Sequence, residues 1–364
     1  MEYYRRLSQA GPATALEKGV FLALCGCGLV YGTLGWLRER GYRWGLWPSY
    51  RPSVPTISVG NIVAGGTGKT PVVDHIARIF TACGKKTAVV SRGYGREGIK
   101  TDRVVSCGDG PLIPPELAGD EPFLLARRNP RLLVLVARRR RRAVEKAVRE
   151  FGAEVVILDD GFQHFAVRRH LDIVLLDGLR PLGNGRVLPA GPLREFPSAL
   201  KRGDLFFFTR SDGLNVPCPV PGRVFHCRHV LQREVQSLDG RHLPLADLIP
   251  LKGGAFAGLA DSERFFRNLL GTGLRLERSL SFPDHVRYGS CEIDALRKLA
   301  EGIDYLVTTE KDAVKLRPSD FSLPCYQVPL GVEFLENMEL EKLLAQLVTQ
   351  EDGTCPLPRN CWIF

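Results

Sequence analysis

The stretch Ser58-Val59-Gly60-Asn61-Ile62-Val63-Ala64-Gly65-Gly66-Thr67-Gly68-Lys69-Thr70-Pro71 runs from a short apolar strand through a glycine-rich turn to a lysine–threonine pair at the head of a helix. Each part has a physical use. Glycine adopts positive φ without steric cost, so consecutive backbone N–H groups can turn toward one anion. The helix N-terminus that follows adds its partial positive charge. Lys69 is placed to reach the outer phosphates of a nucleotide, the Thr70 hydroxyl to sit on Mg²⁺, and Pro71 occupies a first helical turn where no N–H is needed. Gly65, Gly66, Thr67, Gly68, Lys69 and Thr70 therefore read as a phosphate loop. The strict spacing asks for glycine at position 63, where this chain has Val63.

Around this loop the pattern alternates strand and helix. Thr56–Val59 reads as the first strand and Pro71–Cys83 as a helix with Val72, Val73, Ile76, Ile79 and Phe80 on one face. Strands are predicted at Thr87–Ser91, Leu132–Val136, Val155–Leu158, Ile173–Leu176 and Leu205–Thr209, with a helix between about Arg139 and Phe151. Apolar strands alternating with helices imply a parallel sheet covered on both faces, an α/β fold of the P-loop NTPase type. Near Asn215–Gly222 prolines interrupt the pattern. Val224–Leu231 and Arg233–Leu238 then suggest a two-stranded ribbon leading to a smaller second α/β domain. Its strands are expected at Gly254–Gly258 and Tyr305–Thr308, its helices near Ser262–Leu270 and Ile293–Ala300. The predicted organisation is an N-terminal membrane-associated segment (1–45), a nucleotide-binding domain (46–220), the smaller domain (221–347) and a tail (348–364).

The strand Val155-Val156-Ile157-Leu158 ends in Asp159-Asp160. Paired acids at the C-terminal end of a buried strand lie in the crevice where such sheets bind ligands, and they suit holding or polarising a metal beside a phosphate loop. Arg92 and Arg96 bracket Gly93-Tyr94-Gly95 after the second strand and are candidates for an acceptor's phosphate.

The 364 residues are 44% hydrophobic and 25% charged, ordinary for folded globular chains, and the formal net charge of +10 calls for an anionic partner without naming it. Ten cysteines without a C-x-x-C pair point to a reducing compartment rather than to disulfides or zinc. The seven histidines include no metal-ligand spacing; His226 and His229 lack further ligands nearby. Gly19–Leu37 carries no charge and as a helix is ~28 Å long, near the thickness of a bilayer core. Basic residues on both sides (Arg5, Arg6, Lys18; Arg38, Arg40, Arg43) and no small-residue cleavage site favour a helix that stays at an anionic membrane surface over a cleaved leader. Spanning and dipping are both compatible with the run. Arg138–Arg142 at the head of a helix is expected to face anionic lipid; no aromatic stacking motif accompanies it, which speaks against nucleic acid.

Further strings follow in order: Ser91-Arg92-Gly93-Tyr94-Gly95-Arg96, Gly119-Asp120-Glu121-Pro122, Asp159-Asp160-Gly161-Phe162-Gln163-His164, Leu188-Pro189-Ala190-Gly191-Pro192-Leu193-Arg194-Glu195, Phe282-Pro283-Asp284-His285 and Thr309-Glu310-Lys311-Asp312. Together with the loop they resemble the tetraacyldisaccharide 4'-kinase (lipid A 4'-kinase) family, from the N-terminal apolar helix to about residue 316, and the Val63 departure belongs to that family's loop. The resemblance implies an ATP- and Mg²⁺-dependent kinase on the cytoplasmic face of the inner membrane. Its acceptor is the 4'-hydroxyl of tetraacyldisaccharide 1-phosphate in lipid A biosynthesis. It also implies Asp120 as the base for that hydroxyl and His285, on the second domain, as its partner. Asp159, Asp160 and Glu195 match acidic positions around metal and nucleotide, Arg194 matches a phosphate-facing arginine, and Tyr94 and Gln163 join Arg92 and Arg96 as acceptor-side candidates. Thr70, Asp159 and Glu195 are the metal candidates; the residues do not decide which carboxylate ligates the ion. The competing reading is a membrane-associated GTPase-like switch, since Thr309-Glu310-Lys311-Asp312 faintly resembles a guanine-reading motif. Glu310 stands where asparagine would be needed.

Overall fold

The computed structural model describes residues 13–65, 68–98, 101–211, 220–259, 261–284 and 286–349. Gly66, Thr67, His285 and the tail from 350 lie outside them.

The first helix, α1 (Ala15–Arg43), precedes β1 (Thr56–Asn61), α2 (Lys69–Ala82), β2 (Thr87–Ser91), β3 (Arg103–Cys107), the short α3 (Pro115–Ala118), α4 (Asp120–Arg128), β4 (Leu133–Val136), α5 (Arg140–Arg149), β5 (Val155–Asp159), β6 (Leu171–Asp177), β7 (Leu205–Thr209) and β8 (Arg223–Leu231). These strands, with β15 (Leu330–Phe334), form a nine-stranded sheet in the order β15-β8-β7-β6-β1-β5-β2-β4-β3. All pairings are parallel except those of the two edges, β3 with β4 and β15 with β8. Strands such as β4, β5 and β7 are nearly continuous apolar runs because helices cover both faces. β1, β2, β4, β5 and β7 are buried at every residue. On one face α2 buries Val72, Val73, Ile76 and Phe80; on the other α5 buries Ala143, Val144 and Ala147.

The second sheet is built from β9 (Glu234–Ser237), β10 (His242–Pro244), β11 (Lys252–Ala257), β12 (Arg275–Ser281), β13 (Tyr305–Thr309) and β14 (Cys325–Val328), in the order β10-β9-β14-β13-β11-β12. Helices α6 (Ser262–Leu270) and α7 (Ser290–Leu299) and the single turn α8 (Glu310–Ala313) accompany it. Two expectations need correction. The ribbon is not Val224–Leu231 paired with Arg233–Leu238. β8 instead pairs antiparallel with β15, Leu231 opposite Leu330, while β9 pairs with β10 and β14 of the second sheet. Phe225 and Cys227 of β8 fill the first core, whereas Val235 of β9 fills the second, so the chain changes core between the two strands. Residues 221–347 are accordingly not one body. The chain enters the second sheet by β8 and returns by β15, and its last helix, α9 (Asn337–Thr349), lays Leu340, Leu343, Leu344 and Leu347 into the core under α2.

Helix α1 opens with a capping box: Thr14 Oγ1 accepts from Glu17 N at 3.2 Å, and the Glu17 carboxylate accepts from Thr14 N at 3.2 Å. Three of its glycines form the docking face. Gly28 lies against the Val187 carbonyl, Gly32 against the Phe196 ring and Gly41 against the Trp47 ring, each so close that a Cβ would overlap its neighbour. The apolar side chains point the other way; Leu22, Leu29 and Leu34 are 73%, 62% and 61% exposed. Among the described residues this is the one helix long and apolar enough to cross a membrane.

Candidate active site

The phosphate loop leaves β1 in the middle of the sheet and delivers Lys69 and Thr70 to the first turn of α2. Gly68 caps that helix in the left-handed region at φ 70°, and its carbonyl meets His229 Nε2 of β8 at 3.1 Å. A side chain at Gly68 would collide with that imidazole. β5 runs alongside β1, Val59 opposite Asp159, so the two acids emerge beside the loop.

Asp160 is the hub. Its backbone takes φ 50°, which L-residues rarely adopt. Its carboxylate lies 3.4 Å from Lys69 Nζ and accepts from Arg194 Nη1 at 2.9 and 3.1 Å. Arg140 Nη1 donates to its carbonyl at 2.7 Å. Burial opposes charge on Asp160, but Lys69 and Arg194 outweigh it and hold the carboxyl at about 2. Asp159 differs. It is fully buried and accepts from Ser91 Oγ at 3.2 Å through Oδ2. Its Oδ1 is buried with no hydrogen-bond partner among the described residues. Burial, then the charges of Glu121 and Asp160, push it up to about 7. An unpaired buried carboxylate oxygen beside a phosphate loop is the kind of ligand a hard divalent cation takes. His164 stays neutral: burial first, then Arg140, Arg169 and Arg38, bring it down to about 3.

The other expected residues fall into different surroundings. Glu195 is engaged by Arg202, whose Nη2 donates to both carboxylate oxygens at 2.9 Å while its guanidinium lies 4.6 Å over the Phe162 ring. They line a cleft of about 220 Å³ under α1 with Trp36, Arg40, Arg43 and Lys201. Both Glu195 oxygens are thus committed, and of the metal candidates Asp159 keeps the open one. Gln163 Nε2 donates to the Asn61 carbonyl at 2.9 Å and braces the exit of β1. Arg96 turns inward, 5% exposed, and donates to the Thr101 carbonyl at 2.7 Å, so it stiffens its own loop. Arg92 and Tyr94 are exposed. Of the run Arg138–Arg142, Arg140 is not a lipid-facing charge: it is 6% exposed and directed at Asp160, while its four neighbours are exposed.

Asp120 is the first residue of α4, after Gly119 at φ 90°. Its Oδ2 lies 3.0 Å from Lys315 Nζ, and the same ammonium donates to the Val286 carbonyl at 3.2 Å. Lys311 Nζ donates to Asp284 Oδ1 at 2.8 Å. His285 is outside the described residues, but its sequence neighbours on both sides are anchored by these lysines. The sequence assigns no site role to His229 or Lys315, and to Arg140 only a lipid-facing one. The run of five arginines past the end of β4 marks the crevice without singling out Arg140, and for Lys315 the available signal was nearness to the Thr309-Glu310-Lys311-Asp312 string.

A glycine-rich loop between a central parallel strand and a helix, a lysine and two arginines gathered on one aspartate, and a second acid with an open oxygen define a P-loop nucleotide-dependent phosphotransferase. The family model described as tetraacyldisaccharide-1-P 4'-kinase matches residues 20–349. A tetraacyldisaccharide 4'-kinase of Syntrophotalea carbinolica is 50% identical over 350 residues, 96% of this chain and 98% of the relative. One of Geobacter sulfurreducens is 40% identical over 349 residues, 95% and 99% of the two chains. The crystal structure of LpxK from Aquifex aeolicus, in complex with ATP, superposes with a TM-score of 0.78 at 29% identity, covering 91% of this chain and 100% of that one. The chain belongs to the tetraacyldisaccharide-1-P 4'-kinase family.

Proposed function

We propose that this chain transfers the γ-phosphate of ATP to the 4'-hydroxyl of tetraacyldisaccharide 1-phosphate, and that it does so with the residues gathered at the ends of β1, β4 and β5. Family membership over nearly the whole chain supports the reaction. The observation that carries the site is the convergence of Lys69, Arg140 and Arg194 on Asp160 beside the open oxygen of Asp159.

Phosphoryl transfer needs positioning and charge neutralisation more than covalent chemistry. Lys69 and Arg194 are held by a carboxylate they can share with phosphate oxygens, and the Arg140 contact keeps the Asp160 backbone in place beneath them. Asp159 and Thr70 are the residues that would hold Mg²⁺, which when bound neutralises phosphate charge. Asp120 accepts the proton of the acceptor hydroxyl, with His285 as its partner. Arg92 and Tyr94 are available to the acceptor, whereas Gln163, Arg96 and Glu195 act by bracing the loops and the floor under α1.

The outward apolar face of α1 supports a helix held in the membrane leaflet, with the ATP site on the cytoplasmic face of the inner membrane and the basic surface toward anionic lipid. A short path follows from lipid to site, because the cleft under α1 is floored by Glu195, the residue after Arg194. The test is product analysis. Incubation with ATP, Mg²⁺ and tetraacyldisaccharide 1-phosphate should yield a lipid with one more phosphate, coupled in phosphorus–proton spectra to the 4' position. A phosphate at any other carbon, or transfer with GTP in preference to ATP, overturns the assignment.

A further inference from the structure

The string Thr309-Glu310-Lys311-Asp312 has no part in the chemistry above, yet its surroundings are unusually well determined. Thr309 Oγ1 accepts from Asp312 N at 3.1 Å and donates to Asp312 Oδ2 at 2.7 Å; the same carboxylate oxygen accepts from Gly258 N at 2.9 Å. Asp312 is fully buried. The turn α8 is thereby fixed to the second sheet, and charged side chains leave this platform toward the first. Glu310 pairs with Arg128, the last residue of α4, through two guanidinium nitrogens. Lys315 pairs with Asp120, the first residue of α4, at 3.0 Å. One short segment of the second unit therefore grips the helix of the proposed base at both ends. The Lys315–Asp120 pair is largely shielded, the two side chains being 14% and 16% exposed, so it is not an ordinary surface ion pair.

We propose that Lys315 is a positioning residue: by binding Asp120 Oδ2 and the Val286 carbonyl together, it restricts rotation of the Asp120 carboxylate and sets it against the Val286 backbone. This rests on reading Asp120 as the base. A base must present one lone pair in a fixed direction, and misplacement of about an ångström slows such steps severely. A lysine on a rigid platform, with one contact to the carboxylate and one to the loop, supplies that constraint. A residue that only glued the two units together would not act through Asp120.

The test is a double-mutant cycle on the full chain in detergent, with ATP and tetraacyldisaccharide 1-phosphate, using K315M, D120A and the double variant, each checked by thermal unfolding. K315M should lower kcat about tenfold or more with KM for ATP within about twofold, K315R should recover part of the loss, and K315M should add nothing to D120A. If K315M fails to fold, K315Q, which keeps a hydrogen-bond donor without the charge on a shorter side chain, carries the same cycle. A kcat within about twofold of wild type, or a loss that multiplies that of D120A, overturns the role of Lys315 while an impaired D120A leaves the base in place. An unimpaired D120A overturns the base reading and this inference with it.

Discussion

Asp159 and Asp160 are neighbours held on opposite sides of the ordinary carboxylate range, and the difference lies in what surrounds them. Asp160 is ringed by cations and stays ionised; Asp159 is walled in and faces like charge. The signs can be checked. A carboxyl raised to about 7 binds more protons folded than unfolded, so Asp159 lowers stability progressively as pH rises from about 4 to 7. In denaturant titrations D159N should therefore gain on wild type across that window, on the order of a few kcal/mol by pH 8, and a constant difference between the two would contradict the burial argument. Asp160, with its pKa depressed, contributes stability above its unfolded value and loses it as pH falls toward 2. K69A should reduce kcat by roughly a hundredfold or more, as expected when a charge on the transferred group is left unpaired; a variant within about tenfold of wild type would remove Lys69 from the phosphate site. The phosphate loop was legible because its geometry demands glycine at fixed places. Arg140 was not: in five consecutive arginines nothing distinguishes the one that a helix start turns inward. Lys315 was not either, because its partner lies far away in sequence and only the fold joins them.

Helix α1 shows the same division. Its apolar length was readable, but the use of its glycines was not: Gly28, Gly32 and Gly41 are where the backbone approaches Val187, Phe196 and Trp47, which only the fold brings near. The proposed membrane contact then falls to the exposed leucines. Replacing Leu22, Leu29 and Leu34 with asparagine should shift the protein from the vesicle pellet to the supernatant. Each buried leucine is worth about 1.5–3 kcal/mol, or roughly tenfold or more in partitioning. Activity on detergent-dispersed acceptor should stay within a fewfold. Unchanged sedimentation with vesicles would move the membrane contact elsewhere. The strands β8 and β9 mark another limit. Alternation reveals that a strand is half-buried but not which sheet it joins, and here two strands separated by two residues serve different cores.

The two sheets are joined through the β8–β15 pair and through contacts that include Lys315–Asp120 and the cluster around Arg128. That guanidinium pairs with Glu310 of α8 and, at 3.4 Å, with Asp74 of the phosphate-loop helix α2, beside a cleft of about 770 Å³ between the two bodies. Breaking one partner of a buried charge cluster costs about 3–5 kcal/mol, so E310Q should loosen the second sheet against the first. Spin labels on the exposed Cys83 and Cys291, with the other reactive cysteines replaced, should give a narrow distance distribution in the parent and a broad one in E310Q; equal widths would show that the units are held by other contacts. In the proposed reaction these parts serve one purpose, the transfer of a phosphate from nucleotide to lipid while Asp120 takes the proton of the acceptor hydroxyl. Transfer from γ-labelled ATP to purified tetraacyldisaccharide 1-phosphate, by the wild type and by D120A, tests it directly. Label should enter the lipid with the wild type and do so at least about a hundredfold more slowly with D120A, the loss expected for a missing general base. A wild-type protein that binds ATP and labels no lipid, under conditions where a Geobacter relative does, would contradict the proposed reaction.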